Sequence, residues 1–157
     1  MFLSSNTATV AVFMAKLDLS GFDELLSAFD EISNIPEEIQ TKALTAMETL
    51  AAEKIKASGE AYGIRDPESP VHVLDSIKMN KPKKTDSGGY ADITFSGART
   101  RHGKQTRQAE IAFINEYGKR NQQSRPFVGE AMEKNADAIA KTGAEIILDW
   151  TENKFKD

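Results

Sequence analysis

Residues 34–59, NIPEEIQTKALTAMETLAAEKIKASG, decide the fold class, because they read as one long amphipathic helix set between stretches of different character. Asn34 is placed to accept the first unpaired N–H groups as N-cap, and Pro36 suits the first turn. Glu37 and Glu38 favour the positive N-terminal end, and Gly59 is the expected stop. Ile39, Ala43, Met47, Leu50, Ala51 and Ile55 recur at helical spacing, and such a stripe is a packing face rather than a ligand surface. A helix of this kind needs an apolar layer to lie on.

Upstream, SGFDELLSAFDEIS (20–33) puts Phe22, Leu25, Leu26, Phe29 and Ile32 on one side, with Ser20 and Asp23 near capping-box spacing. A short N-terminal helix is expected there. Residues 1–15 read as an N-terminal extension, either strand running from Ala8 toward Leu19 or disordered chain, and residues 16–157 as a single domain. The apolar run from Val10 to Met14 lacks a basic leader and is too short to span a bilayer, so neither a signal peptide nor a membrane partner is expected.

Downstream, EAYGIRDPESP (60–70) breaks the helix, and three strand-like runs follow: VHVLDSIKMN (71–80), GGYADITFSG (88–97) and RQAEIAFINEYG (107–118). The polar, glycine-bearing stretches KPKKTDSGG (81–89) and ARTRHGKQT (98–106) read as hairpin connections. From Pro126 to Asn153, Val128, Met132, Ile139, Gly143, Ile146 and Trp150 recur at helical spacing, giving a helix of about 40 Å. The expected fold is α+β: an antiparallel sheet of three or more strands packed against two long helices plus the short N-terminal helix.

The 157 residues, 39% of them hydrophobic, can bury one modest core. The net charge of -4 argues against a chain that coats nucleic acid, although a local basic patch is compatible with it. With no cysteine there are no disulfides, thiol nucleophiles or Cys-based zinc sites. His72 and His102 stand 30 residues apart with no second ligand at metal-binding spacing. Asp23, Asp30, Glu37, Glu38, Glu48 and Glu53 fall on polar helix faces, where a solvated charge is the ordinary reading. No phosphate loop or nucleophile elbow is present. No metal, cofactor or catalytic residue is therefore expected, and the chain does not read as an enzyme.

Two basic stretches carry Lys81, Lys83, Lys84, Arg99, Arg101, Lys104 and Arg107. Both can meet phosphates, which makes a nucleic-acid-binding module the second reading. The simpler one is a solvated or protein-facing surface, since only Tyr90 is near enough in sequence to stack on a base.

Four segments in order carry a resemblance. They are GFDELL (21–26); PESPVHVLDSI (67–77), matching through Pro67, Ser76 and Ile77; Glu116, Tyr117 and Gly118; and Ser124 to Val128 with Ala131 and Met132. From about Lys16 to Trp150 the chain resembles the tail-component family of long-tailed bacteriophages, neck proteins of the tail-completion or tail-terminator kind. It departs from that family's pattern at Ser69, Pro70 and Val71, at Val73, and at Lys119. The resemblance implies a structural subunit of a six-fold homo-oligomeric ring in the virion neck, assembled in the host cytoplasm. Its partners would be a tail-tube protein and a head connector or stopper protein, with non-specific contact to passing DNA. Gly118, Lys119, Arg120, Arg125, Pro126 and Phe127 are the candidate subunit-interface residues. Here Pro126 starts a helix, Phe127 staples the entering chain to the core, and Arg125 pairs across the boundary or with a helix C-terminal carbonyl.

Overall fold

The computed structural model describes residues 35–65, 69–86, 88–154 and 156, together with the backbone of residues 14–18. In chain order the elements are β1 (Met14–Asp18), α1 (Glu37–Ala61), a 3-10 turn (Val73–Ser76), β2 (Ile77–Met79), β3 (Lys83–Thr85), β4 (Gly88–Phe95), β5 (Ala98–Arg101), β6 (Lys104–Arg107), α2 (Gln108–Tyr117) and α3 (Phe127–Lys154). The expected helix over 20–33, and the strand residues expected before Met14, lie outside the described residues.

β4 is the centre of the main sheet. β1 pairs antiparallel along one side of it, from Met14 opposite Thr94 to Asp18 opposite Tyr90. Along the other side run β2, with Met79 opposite Ile93, and β3, with Lys83 opposite Tyr90. These two behave as one interrupted strand: the Asn80 N–H still donates to the Asp92 carbonyl at 3.0 Å, and Pro82, lacking an N–H, falls in the gap. β4 alternates as a half-covered strand should, with Gly89, Ala91, Ile93 and Phe95 buried. β5 and β6 form a separate antiparallel pair.

α1 is packed on two sides, against β4 and along α3. This is why it buries a broad stripe comprising Ala43, Leu44, Met47, Glu48, Ala51, Ile55 and Gly59. α3 lies chiefly on α1 and reaches the sheet through Phe127, whose ring meets Phe95 edge-on at 5.9 Å. The fold is α+β with antiparallel sheets, as expected, but the second long helix rests mainly on the first.

Three local readings are corrected. The run 107–118 was expected as a strand, yet Gln108–Tyr117 is helix α2. A short apolar run does not by itself distinguish strand from helix. Burial falls on Ala109, Ala112, Asn115 and Glu116, spacings that only a helix places on one side. The 98–106 stretch, expected as a connection, is itself mostly hairpin. His102 (φ 50) and Gly103 (φ 75) give the two left-handed central residues that a two-residue type I′ turn requires. Of the strand expected over 71–80, only Ile77–Met79 is strand, because Val73 and Leu74 are buried by a 3-10 turn instead.

Helix α1 also starts and stops differently. The Pro36 carbonyl accepts the first bonds, from Ile39 at 2.9 Å and Gln40 at 3.1 Å. Asn34 lies outside the described residues. The helix passes through Gly59 and ends at Gly63, whose φ of +67 permits a Schellman closure: Ile64 N–H to Gly59 O at 2.9 Å and Gly63 N–H to Glu60 O at 2.9 Å. Gly59 has another task, since it lets Leu74 pack directly on the helix backbone.

Glu48, expected on a solvated helix face, is instead 1% exposed because α1 is covered on two sides, and its Oε1 makes no hydrogen bond. Burial pushes its carboxyl from the ordinary 4.5 up to about 7; the backbone of Asn80 opposes the shift and the Asp92 charge adds to it.

Two outcomes follow. Gly59→Ala puts a methyl 2.3 Å from Leu74 Cδ2. Overpacking there should exceed the gain in helix propensity and cost about 1–3 kcal/mol in urea denaturation. For Glu48, the folded protein holds a proton that the unfolded chain releases between pH 4.5 and about 7. Its burden on stability is therefore absent at low pH, grows through that window and is complete above it, at up to about 3 kcal/mol. Glu48→Gln should raise the melting temperature at pH 8 far more than at pH 4, and equal shifts at both would show that Glu48 does not titrate this way.

Candidate functional site

The junction between α2 and α3 is built from both ends. Glu116, at the end of α2, is buried, and its carboxylate accepts the Val128 N–H at 2.9 Å and the Gly129 N–H at 2.8 Å. These are first-turn donors of α3 with no partner inside the helix, so Glu116 acts as a cap supplied from another element. Burial pushes its carboxyl up from the ordinary value, and the two N–H groups act against that push. Tyr62, just past α1, donates to Glu130, which also pairs with Lys134 at 3.1 Å. All three helices thus meet at the start of α3.

Asn115 ties down the incoming chain. Its backbone carbonyl accepts the Arg125 N–H at 2.6 Å, and its side-chain oxygen accepts from the Arg125 guanidinium and from Gln122. The Pro126 carbonyl takes the Glu130 N–H at 3.0 Å, so Pro126 stands immediately before the first helical residue, Phe127. Phe127 is 0% exposed and staples the chain to the core as expected, so any part it plays in an interface comes from holding the loop.

The loop from Gly118 to Ser124 is a miniature hairpin. Lys119 and Gln122 exchange backbone bonds at 2.9 and 3.0 Å, leaving Arg120 exposed near its tip. Gly118 adopts φ 77 and ψ -177, a region nearly closed to other residues. A Cβ there would stand 2.7 Å from the Gln122 carbonyl and 2.9 Å from the Ser124 nitrogen. Both backbone conformation and space demand glycine.

This loop and the β5–β6 hairpin are the two banks of an open cleft of about 500 Å³. Among the described residues Arg65, Arg99, Arg101, Lys104, Lys119 and Arg125 line it, with Glu110 the one acid beside them. Aliphatic side chains of Ile64, Val73, Ile111 and Ile114 supply its apolar part. On a chain of net charge -4 this is a concentrated region of opposite sign. The cleft can hold an anionic partner that also carries apolar surface.

The candidate residues divide accordingly. Arg99, Arg101 and Lys104 join Lys119 and Arg125 in the cleft, whereas Lys83 and Lys84 on strand β3, Lys81 just before it, and the exposed Arg107 lie outside the cleft lining. The sequence did not point to Arg65, which follows the true helix stop at Gly63, and it marked Glu116 only through the resemblance and not as a cap, because that cap spans a loop. Arg125 is engaged within its own chain, with Asn115.

Among the described residues no group of three His, Cys, Asp or Glu side chains could hold a metal ion, and no helix is long and apolar enough to cross a membrane. No protein-family model, characterised protein or solved structure matches this chain.

Replacing Glu116 by Gln turns one acceptor of the cap into a donor facing an N–H. A loss of about 1–3 kcal/mol is expected in chemical denaturation, the cost of a buried donor left without a partner.

Proposed function

We propose that this chain is a structural subunit of a phage or prophage neck, of tail-completion or tail-terminator type, working as a homo-oligomeric ring that joins the tail tube to the head connector. One observation carries the reading. Two of the segments that carry the resemblance, Glu116–Gly118 and Ser124–Val128, fold onto each other through the Glu116 cap and the Asn115–Arg125 bonds, and hold the loop between them outward. A preorganised loop suits a subunit contact, because little ordering entropy remains to be lost on association. Its work is geometric, with one surface for the tail-tube protein and another for the head connector or stopper protein, and its place is the virion neck.

The second reading, a nucleic-acid-binding module, is favoured by the gathering of Arg99, Arg101 and Lys104 on one hairpin beside the cleft. Such a module would lose DNA affinity steeply with salt, whereas a ring subunit whose lumen passes DNA should hold it weakly.

The test is complementation of a phage lacking the gene. Lys119→Glu with Arg120→Glu changes only exposed positions, so the variant should stay folded while separate heads and tails accumulate in place of infectious particles. Full titre from a folded double variant removes the loop from the joint. In parallel, duplex DNA binding by the purified chain at about 150 mM salt, where screening acts within about 8 Å, should be weak. Tight, hairpin-dependent binding favours the second reading.

A further inference from the structure

We infer that the basic cleft receives the acidic outer face of helix α3 from a second copy of this chain. Along α3, Glu145, Leu148, Asp149 and Glu152 follow one another at the i, i+3, i+4, i+7 spacing that places them on one face. The three acids are exposed, and Leu148 is 40% exposed, one of the few large apolar side chains left open to solvent among the described residues. A leucine ringed by carboxylates is the chemical counterpart of a cleft whose aliphatic lining is ringed by cations. Two of the ion pairs that would be exchanged are weak, since Lys141–Glu145 at 3.8 Å and Arg65–Glu60 at 3.3 Å are both solvent-exposed.

A subunit cannot fill its own cleft this way. Arg125 places the cleft at the start of α3, and Leu148 lies about 30 Å further along the helix axis at 1.5 Å per residue. The two surfaces are also different patches, so the contact is head-to-tail and repeats from copy to copy, closing as a ring when its rotation allows. It deepens the ring reading above, while the contact itself stands on charge and placement. Nucleic acid fits this cleft less well: among the described residues no aromatic ring lines it to stack a base, and its aliphatic residues have no use for phosphate.

The experiment is sedimentation velocity on the purified full chain at about 50 mM and about 500 mM salt, conditions that screen exposed charges to different degrees. Two variants are compared with it: Glu145→Lys, Asp149→Lys and Glu152→Lys on the helix, and Arg101→Glu, Lys104→Glu and Lys119→Glu in the cleft. Arg125 stays intact because it holds Asn115. The wild type should self-associate, more so at low salt, and each variant should associate about tenfold more weakly or worse. Mixed in equal amounts, the two variants should associate again, because each keeps the surface the other has lost. If a triple variant melts early, Asp149→Lys and Lys104→Glu alone replace the pair.

A wild type that stays monomeric, variants that associate like it, or a mixture that stays apart would each overturn the contact. So would loss of binding to a 20-base-pair duplex in the cleft variant alone, without any self-association. Rings persisting in both variants would overturn the contact yet leave the neck reading standing. Association behaving as expected, with no defect in complementation, would sink the neck reading and leave the contact.

Discussion

The bond pair from the Glu116 carboxylate to the Val128 and Gly129 N–H groups is the constraint on which the rest depends. A long helix that opens after Arg-Pro-Phe has no side chain of its own in position to satisfy its first donors, and here the Val128 N–H is buried away from water. Taking the acceptor from the end of α2 meets that need and fixes the angle at which the two helices meet. Gly118 then has to turn the chain in a space too tight for a Cβ, and Asn115 receives it again at Arg125. The loop between is therefore held at both ends by the same short stretch of α2.

That junction also sets the electrostatics. α2 follows directly on β6, so fixing α2 against α3 brings the β5–β6 hairpin opposite the Lys119–Gln122 bridge, and cations distant in sequence face one cleft. A chain with an excess of acid thus gathers six cations around one cleft while exposed acids run along its helix faces. Separation of this kind favours ordered contacts between unlike surfaces over indiscriminate clumping, since like patches repel.

Much of the architecture could be read beforehand because it rests on local interactions. The stripe of α1, the 28-residue α3, the central strand β4 and the helix start at Pro126 and Phe127 all follow from periodicity and from what proline does to its own backbone. Gly59 was a readable glycine given the wrong task. Its place near a helix end suggested a stop, but Leu74 occupies the space where a side chain would be, and Gly63 with the buried Ile64 behind it ends the helix. The sequence AYGI contains that signal, a glycine followed by an apolar residue.

What the sequence by itself determined is the α+β class, the extent of the two long helices, and the cations of 81–107 and 119–125 as the chain's distinctive surface chemistry, because each depends on residues within a few turns of one another. Tertiary structure alone decided that 108–117 is helix, since an apolar run of that length suits either state until its neighbours select which residues are buried. It also decided that Arg99, Arg101 and Lys104 share a cleft with Lys119 and Arg125 while Lys81, Lys83 and Lys84 do not. Which charges converge is a property of chain crossings, and no local spacing encodes it.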